Sequence, residues 1–116
     1  MKEPESLIPL KPDVFLILTI VARSEQYGYG IMQEAEKLTD GDVRLQPGAL
    51  YRRLRWMLDE GLLEELAERS VPDSGEDERR RYYGVTKLGR KVARSEAQRM
   101  RGLLRAAEGA GVLEGK

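Results

Sequence analysis

The chain has 116 residues, 20 Lys and Arg against 20 Asp and Glu, and neither cysteine nor histidine. That length fits one small domain with a modest core, and the missing residue types exclude disulfides, thiol nucleophiles, thiolate or imidazole metal sites and every catalytic dyad with histidine as base. The carboxylates fall in surface-like runs such as "DSGEDE" (73–78), without the apolar setting that tunes an acid for catalysis, so the expectation is a chain that is no enzyme and carries no cofactor.

Residues 1–11 are polar, with prolines at 4 and 9, and read as a flexible arm. A first helix is predicted from Pro12, a good first-turn residue. It is apolar on nearly every side over residues 14–22, which a surface helix of a small monomer cannot satisfy, so it is expected to meet its own domain and a further partner. The apolar run is too short to cross a bilayer, and a soluble, cytoplasmic protein is expected. "YGYG" (27–30) reads as a turn into a second helix, in which Ile31, Met32, Ala35 and Leu38 have helical spacing. "TDGD" (39–42) ends it, and residues 43–45 are a short strand at best.

A third helix is predicted from Pro47 to about residue 60, with Gly61 as its left-handed cap. Leu50, Leu54, Met57 and Leu58 fall on one face, and Arg52, Arg53 and Trp56 on the other. Residues 62–68 and 80–85 read as two strands joined by a polar loop. Thr86 then caps a last helix running toward Glu108, with a narrow stripe of Leu88, Val92, Ala93, Ala97, Met100, Leu103, Leu104 and Ala107. At 1.5 Å per residue it is about 33 Å long, more than the domain before it can cover. Phe15 and Leu16 of the first helix and Leu88, Val92, Met100, Leu103 and Leu104 of the last are therefore the candidate homodimer contacts.

The zero net charge hides a separation. Residues 46–58 hold Arg52, Arg53 and Arg55 and no acid, while residues 79–105 hold ten bases and the single acid Glu96. A basic helix that follows a turn after another helix is the arrangement that enters a DNA major groove, although a solvated surface has the same composition. "RRRYY" (79–83) reads either as a cationic edge strand or as a wing whose arginines touch phosphate or the minor groove. Trp56 either packs on a neighbouring element or lies at the DNA surface. Gly48 either only permits tight geometry or lets the start of the third helix approach a phosphate.

"YGYGIMQE" (27–34), "LQPGALYRRL" (45–54), "DEGLLEE" (59–65) and "RRRYYGVTKLG" (79–89), in this order and spacing, resemble the PadR family of bacterial transcriptional regulators over residues 9–108. The resemblance implies an α+β, mainly helical chain: a winged helix-turn-helix domain over residues 12–85, one dimerisation helix over 86–108 and a flexible tail over 109–116. It implies a homodimeric repressor on pseudo-palindromic, double-stranded operator DNA, associated with the nucleoid when bound, and it admits a small-molecule effector at the dimer interface. Gly48, Leu50 and Tyr51 match the family's Gly-Thr-Leu-Tyr pattern, with Tyr51 near a phosphate, and Ala49 stands where that pattern has a hydroxyl. Arg81 and Tyr83 match the wing's basic and tyrosine positions. In this reading Arg52 and Arg53 contact bases, Arg55 sits at the helix margin, and Arg79, Arg80 and Arg81 grip the backbone. Zero net charge and Ala49 favour the alternative, a winged-helix interaction module without DNA binding.

Overall fold

Proline opens two of the four α-helices among the described residues. The computed structural model describes residues 4–66, 69–70 and 79–114. Helix α1 (Pro12–Arg23) buries Val14, Ile17, Leu18, Ile20 and Val21 and packs on the helices Gly28–Leu38 and Lys87–Gly109 and on the strand Tyr82–Val85. Phe15 and Leu16 are half-buried against the same core, and Thr19 is exposed.

Strand β1 (Gln26–Tyr27) and helix α2 (Gly28–Leu38) occupy the segment read as a turn. Two residues are too few to show an alternating pattern, and β1 exists only because a partner far along the chain pairs with it: Gln26 opposite Tyr83, Tyr27 opposite Tyr82. Gly28 starts α2 at a close approach, since a Cβ there would overlap the Tyr51 hydroxyl. The helix ends at Thr39, whose Oγ1 donates to Ala35 O (2.7 Å) and accepts from Val43 N (3.0 Å). These bonds and the left-handed backbone at Asp40 and Gly41 hold residues 43–45 as a loop, so the short strand considered there does not form.

Helix α3 (Pro47–Asp59) buries Leu50, Leu54 and Met57, with Leu58 half-buried beside them. Gly61, at φ 79°, stops it. The amide of Leu62 bonds Met57 O (2.8 Å) and that of Gly61 bonds Leu58 O (3.1 Å), which satisfies the last carbonyls as a left-handed glycine cap should. The chain then enters β2 (Leu63–Glu65), β3 (Arg69–Ser70), β4 (Arg79–Arg80) and β5 (Tyr82–Val85). Antiparallel pairing gives the order β1-β5-β2, with a separate β3-β4 ladder farther out on the hairpin. Residues 73–78, read as a solvated acidic loop, lie outside the described residues.

Helix α4 (Lys87–Gly109) starts as expected: Thr86 Oγ1 accepts from Gly89 N at 2.9 Å. Its first half runs antiparallel to α1 and closes the core with Val92. Val92 is thereby removed from the candidate dimer contacts, because its own chain covers it completely. Leu88 is half-buried against the same core, and Met100 is half-buried farther along. Leu103 and Leu104, past the domain's edge, are 58% and 55% exposed.

One buried acid ties down part of the segment read as a flexible arm, of which residues 1–3 lie outside the described residues. Glu96, 1% exposed, accepts the amide of Leu10 (2.8 Å) and two hydrogen bonds from Arg99 (2.6 and 3.0 Å). Leu10 is buried by this clip, and the 3-10 helix Pro4–Leu7 packs on α4. The Arg99 hydrogen bonds, helped by the Leu10 amide, hold the Glu96 carboxyl below the usual carboxylate range, against the opposing effect of burial. Because the folded pKa is depressed, the stability this group contributes is present above its unfolded value, about 4.3, and is lost as pH falls through the folded value. Glu96→Gln is expected to lower stability at neutral pH and to flatten its decline between about pH 5 and 2, as read by urea unfolding across that range.

Candidate nucleic-acid interface

With Leu50, Leu54 and Met57 turned inward, helical geometry directs Tyr51, Arg52 and Arg55 outward, and all three are exposed. Gly48, Tyr51, Arg52, Arg55, Trp56 and Asp59 line a shallow open hollow on this face. A second hollow, of about 200 Å³, lies between α3 and the sheet and is lined by Tyr51, Arg55, Glu65, Arg81 and Tyr83 among others. Tyr51 and Arg55 belong to both. The outer face of α3 and the base of the wing are therefore one continuous surface.

Arg52 and Arg55 are engaged by no ion pair among the described residues. Arg81 pairs with Glu65 at 3.5 Å, but both side chains are about half exposed, and such a pair holds its cation only weakly. Tyr83 lies under this corner, 5% exposed; burial first, then the Glu65 carboxylate, pushes its phenol above the usual range. The β4 backbone places Arg79 and Arg80 opposite Ser70 and Arg69 on the hairpin; their side chains lie outside the described residues. Gly48 is exposed, and a Cβ there would meet nothing closer than Arg52 Nη1 at 3.6 Å, so no packing within the chain demands glycine at this position. Ala49 is half-buried.

Arg53 departs from the reading that placed it beside Arg52. It turns toward α1, where its Nε donates to Asp13 Oδ2 at 2.8 Å, and it is half-buried. The cause is angular: position 53 follows Arg52 by about 100° around the helix and so lies on the flank nearer the core. Trp56, 39% exposed, sits on the same flank and lines both the outer hollow and a cavity shared with Leu7, Leu10 and Val14. It is at once a packing residue and an edge of the exposed face.

Sequence reasoning missed two residues that make long-range polar contacts, Asp13 with Arg53 and Glu96 with Leu10. A signal existed for both: Asp13 is the acid at the start of an otherwise apolar helix, and Glu96 is the single acid among ten bases. Among the described residues no group of three or more acids is placed to hold a metal ion, and no helix is long and apolar enough to cross a membrane.

The model of the transcriptional regulator PadR-like family matches residues 17–95. The chain belongs to that family. The match takes in most of α1, the three-stranded sheet and α3, and ends one residue before Glu96, so the far half of the PadR-like α4 lies beyond it. Solved structures extend the likeness to the whole fold. A PadR-like transcriptional regulator from Bacillus cereus is similar with TM-score 0.70 and 21% identity, over 97% of this chain and 96% of that one. A PadR family transcription regulator from Clostridium difficile is similar with TM-score 0.68 and 24% identity, over 84% and 96%. The smu.1704 protein from Streptococcus mutans is similar with TM-score 0.67 and 25% identity, over 89% and 87%. A comparison with curated protein sequences finds no significant match. The PadR-like family is one of transcription regulators, and the winged-helix architecture expected from the sequence is the one observed.

Proposed function

We propose that this PadR-like protein is a homodimeric repressor that binds pseudo-palindromic operator DNA. The observation that carries the reading is the continuous exposed surface made by Tyr51, Arg52 and Arg55 of α3 with Arg81 at the base of the wing. α3 enters the major groove, where Arg52 and Arg55 reach base edges and phosphates, since a guanidinium matches both in a bidentate way. Arg55 thus takes the place that the sequence reading gave to Arg53. Gly48 lets the start of α3 come close to a phosphate, with its free amides toward the anion. Arg81, with Arg79 and Arg80 on β4, supplies backbone contacts that position the domain without specifying sequence.

Dimerisation is supported by the unpaired end of α4. Leu103 and Leu104 expose more than half their surface on a helix of 23 residues, and a second copy is the simplest cover for such a face. Two copies related by a two-fold axis would present two α3 helices to half-sites about one helical turn apart.

The test is fluorescence anisotropy with labelled duplexes taken from upstream of the protein's own coding sequence, at two salt concentrations. The expected result is binding tighter than to a shuffled duplex and weakened by salt, as release of counterions from phosphates requires. Equal, negligible binding to both would favour the interaction module that zero net charge suggests.

A further inference from the structure

Helix α3 packs mainly on α2 and β2, whereas α4 packs on α1 and on the 3-10 helix Pro4–Leu7. Past its C-terminal end α3 is joined directly to the start of α4, where Gly61 O and Leu62 O accept from the Thr86 hydroxyl and Leu62 O also from the Thr86 amide. Away from that junction, two polar links that meet at the start of α1 form a second connection between α3 and α4. Arg53 of α3 donates to Asp13 Oδ2 at 2.8 Å, across 40 residues of sequence, and three residues before Asp13 the amide of Leu10 donates to Glu96 of α4 at 2.8 Å, across 86. The other Asp13 oxygen accepts from Val14 N at 2.8 Å, so the carboxylate is held from both sides. Beside the Arg53 link lies a cavity of about 280 Å³, with Leu7, Leu10, Val14 and Trp56 in its walls. The apolar packing of α3 on the start of α1 is thus interrupted beside the ion pair, which adds a polar tie at that point.

We propose that Asp13 is a positioning residue for DNA recognition, which holds Arg53 so that α3 keeps a fixed attitude to α4 and hence to the partner's α3. The inference rests on the reading of the protein as a two-fold DNA-binding dimer. Its consequence is selectivity for half-site spacing. One base pair more or less between half-sites turns one against the other by about 34°, which a rigidly braced pair of α3 helices tolerates poorly.

The experiment compares wild type, Asp13→Ala, Arg53→Met and the double variant on a single half-site duplex and on paired half-sites at the preferred spacing and one base pair to either side. Thermal unfolding shows that each variant is folded; if Asp13→Ala is not, Asp13→Asn replaces it, since it keeps the shape of the side chain. Wild type is expected to prefer one spacing. Each single variant should reduce that preference by roughly tenfold, the double variant no further, as a shared interaction dictates. Single half-site affinity and its salt dependence should not move, and Asp13→Glu, which keeps the charge, should restore part of the preference. The proposal is overturned if Asp13→Ala keeps the wild-type spacing preference, or if Arg53→Met alone weakens half-site binding and its salt dependence, which would make Arg53 a DNA contact. If wild-type protein binds no duplex, the DNA-binding reading itself fails, and the brace with it.

Discussion

Replacing Arg52 and Arg55 together by alanine is expected to weaken specific operator binding by roughly thirty-fold to twenty-thousand-fold, from about 1–3 kcal/mol for each lost base contact. Both guanidinium groups are exposed, one helical turn apart, and free of ion pairs among the described residues, so their loss costs the free chain little. Circular dichroism and thermal unfolding should therefore be close to wild type while anisotropy shows the defect. Affinity for unrelated duplexes should fall much less, because the wing contacts remain. A double variant that binds its operator as tightly as wild type would remove α3 from the interface. Arg53→Met is the informative contrast: its guanidinium is committed to Asp13, so a deficit in base recognition should not follow.

The second large effect is expected at the far end of α4. Leu103→Asp with Leu104→Asp should raise the dimer dissociation constant by roughly three to four orders of magnitude, taking about 1.5–3 kcal/mol for full burial of each of four leucines per dimer, half of it already realised within each chain, plus the cost of placing carboxylates in an apolar contact. Both positions are exposed in the single chain and lie beyond Val92 and Glu96, where α4 leaves the core. The substitutions thus act on association and spare the fold of the domain. Light scattering at micromolar concentration should report a monomer for the variant and a dimer for wild type, and operator affinity should fall with it, because two tethered half-site contacts become separate events. A wild-type protein that scatters as a folded monomer would sink the two-fold model. Met100 is a less clean target, since it is already half-buried against its own chain.

Much of this was legible because the governing interactions are local. The 0, 4, 7 spacing of Leu50, Leu54 and Met57, Pro47 at the helix start and Gly61 at its end define α3 within 15 residues, and the structure returns those limits. The Thr86 cap is equally local. Strand β1 was not legible, because it has no pattern of its own and forms only by pairing with β5. The placement of Arg53 was hidden for a similar reason: on a helical wheel it lies between the buried and exposed faces, and only the arrival of α1 decides which it joins.

The sequence by itself determined the helical segments, their caps, the hairpin, the concentration of arginine on α3 and on the hairpin, and the absence of thiol and imidazole chemistry, since each depends on residue type and on spacing within a few turns. Tertiary structure alone decided which arginines are free and which are committed, where residues 7–10 dock, and that Val92 belongs to the core. Those outcomes depend on contacts between residues 40 to 86 positions apart, Arg53 with Asp13 and Leu10 with Glu96, and no periodicity within one element encodes which acid a distant base will meet.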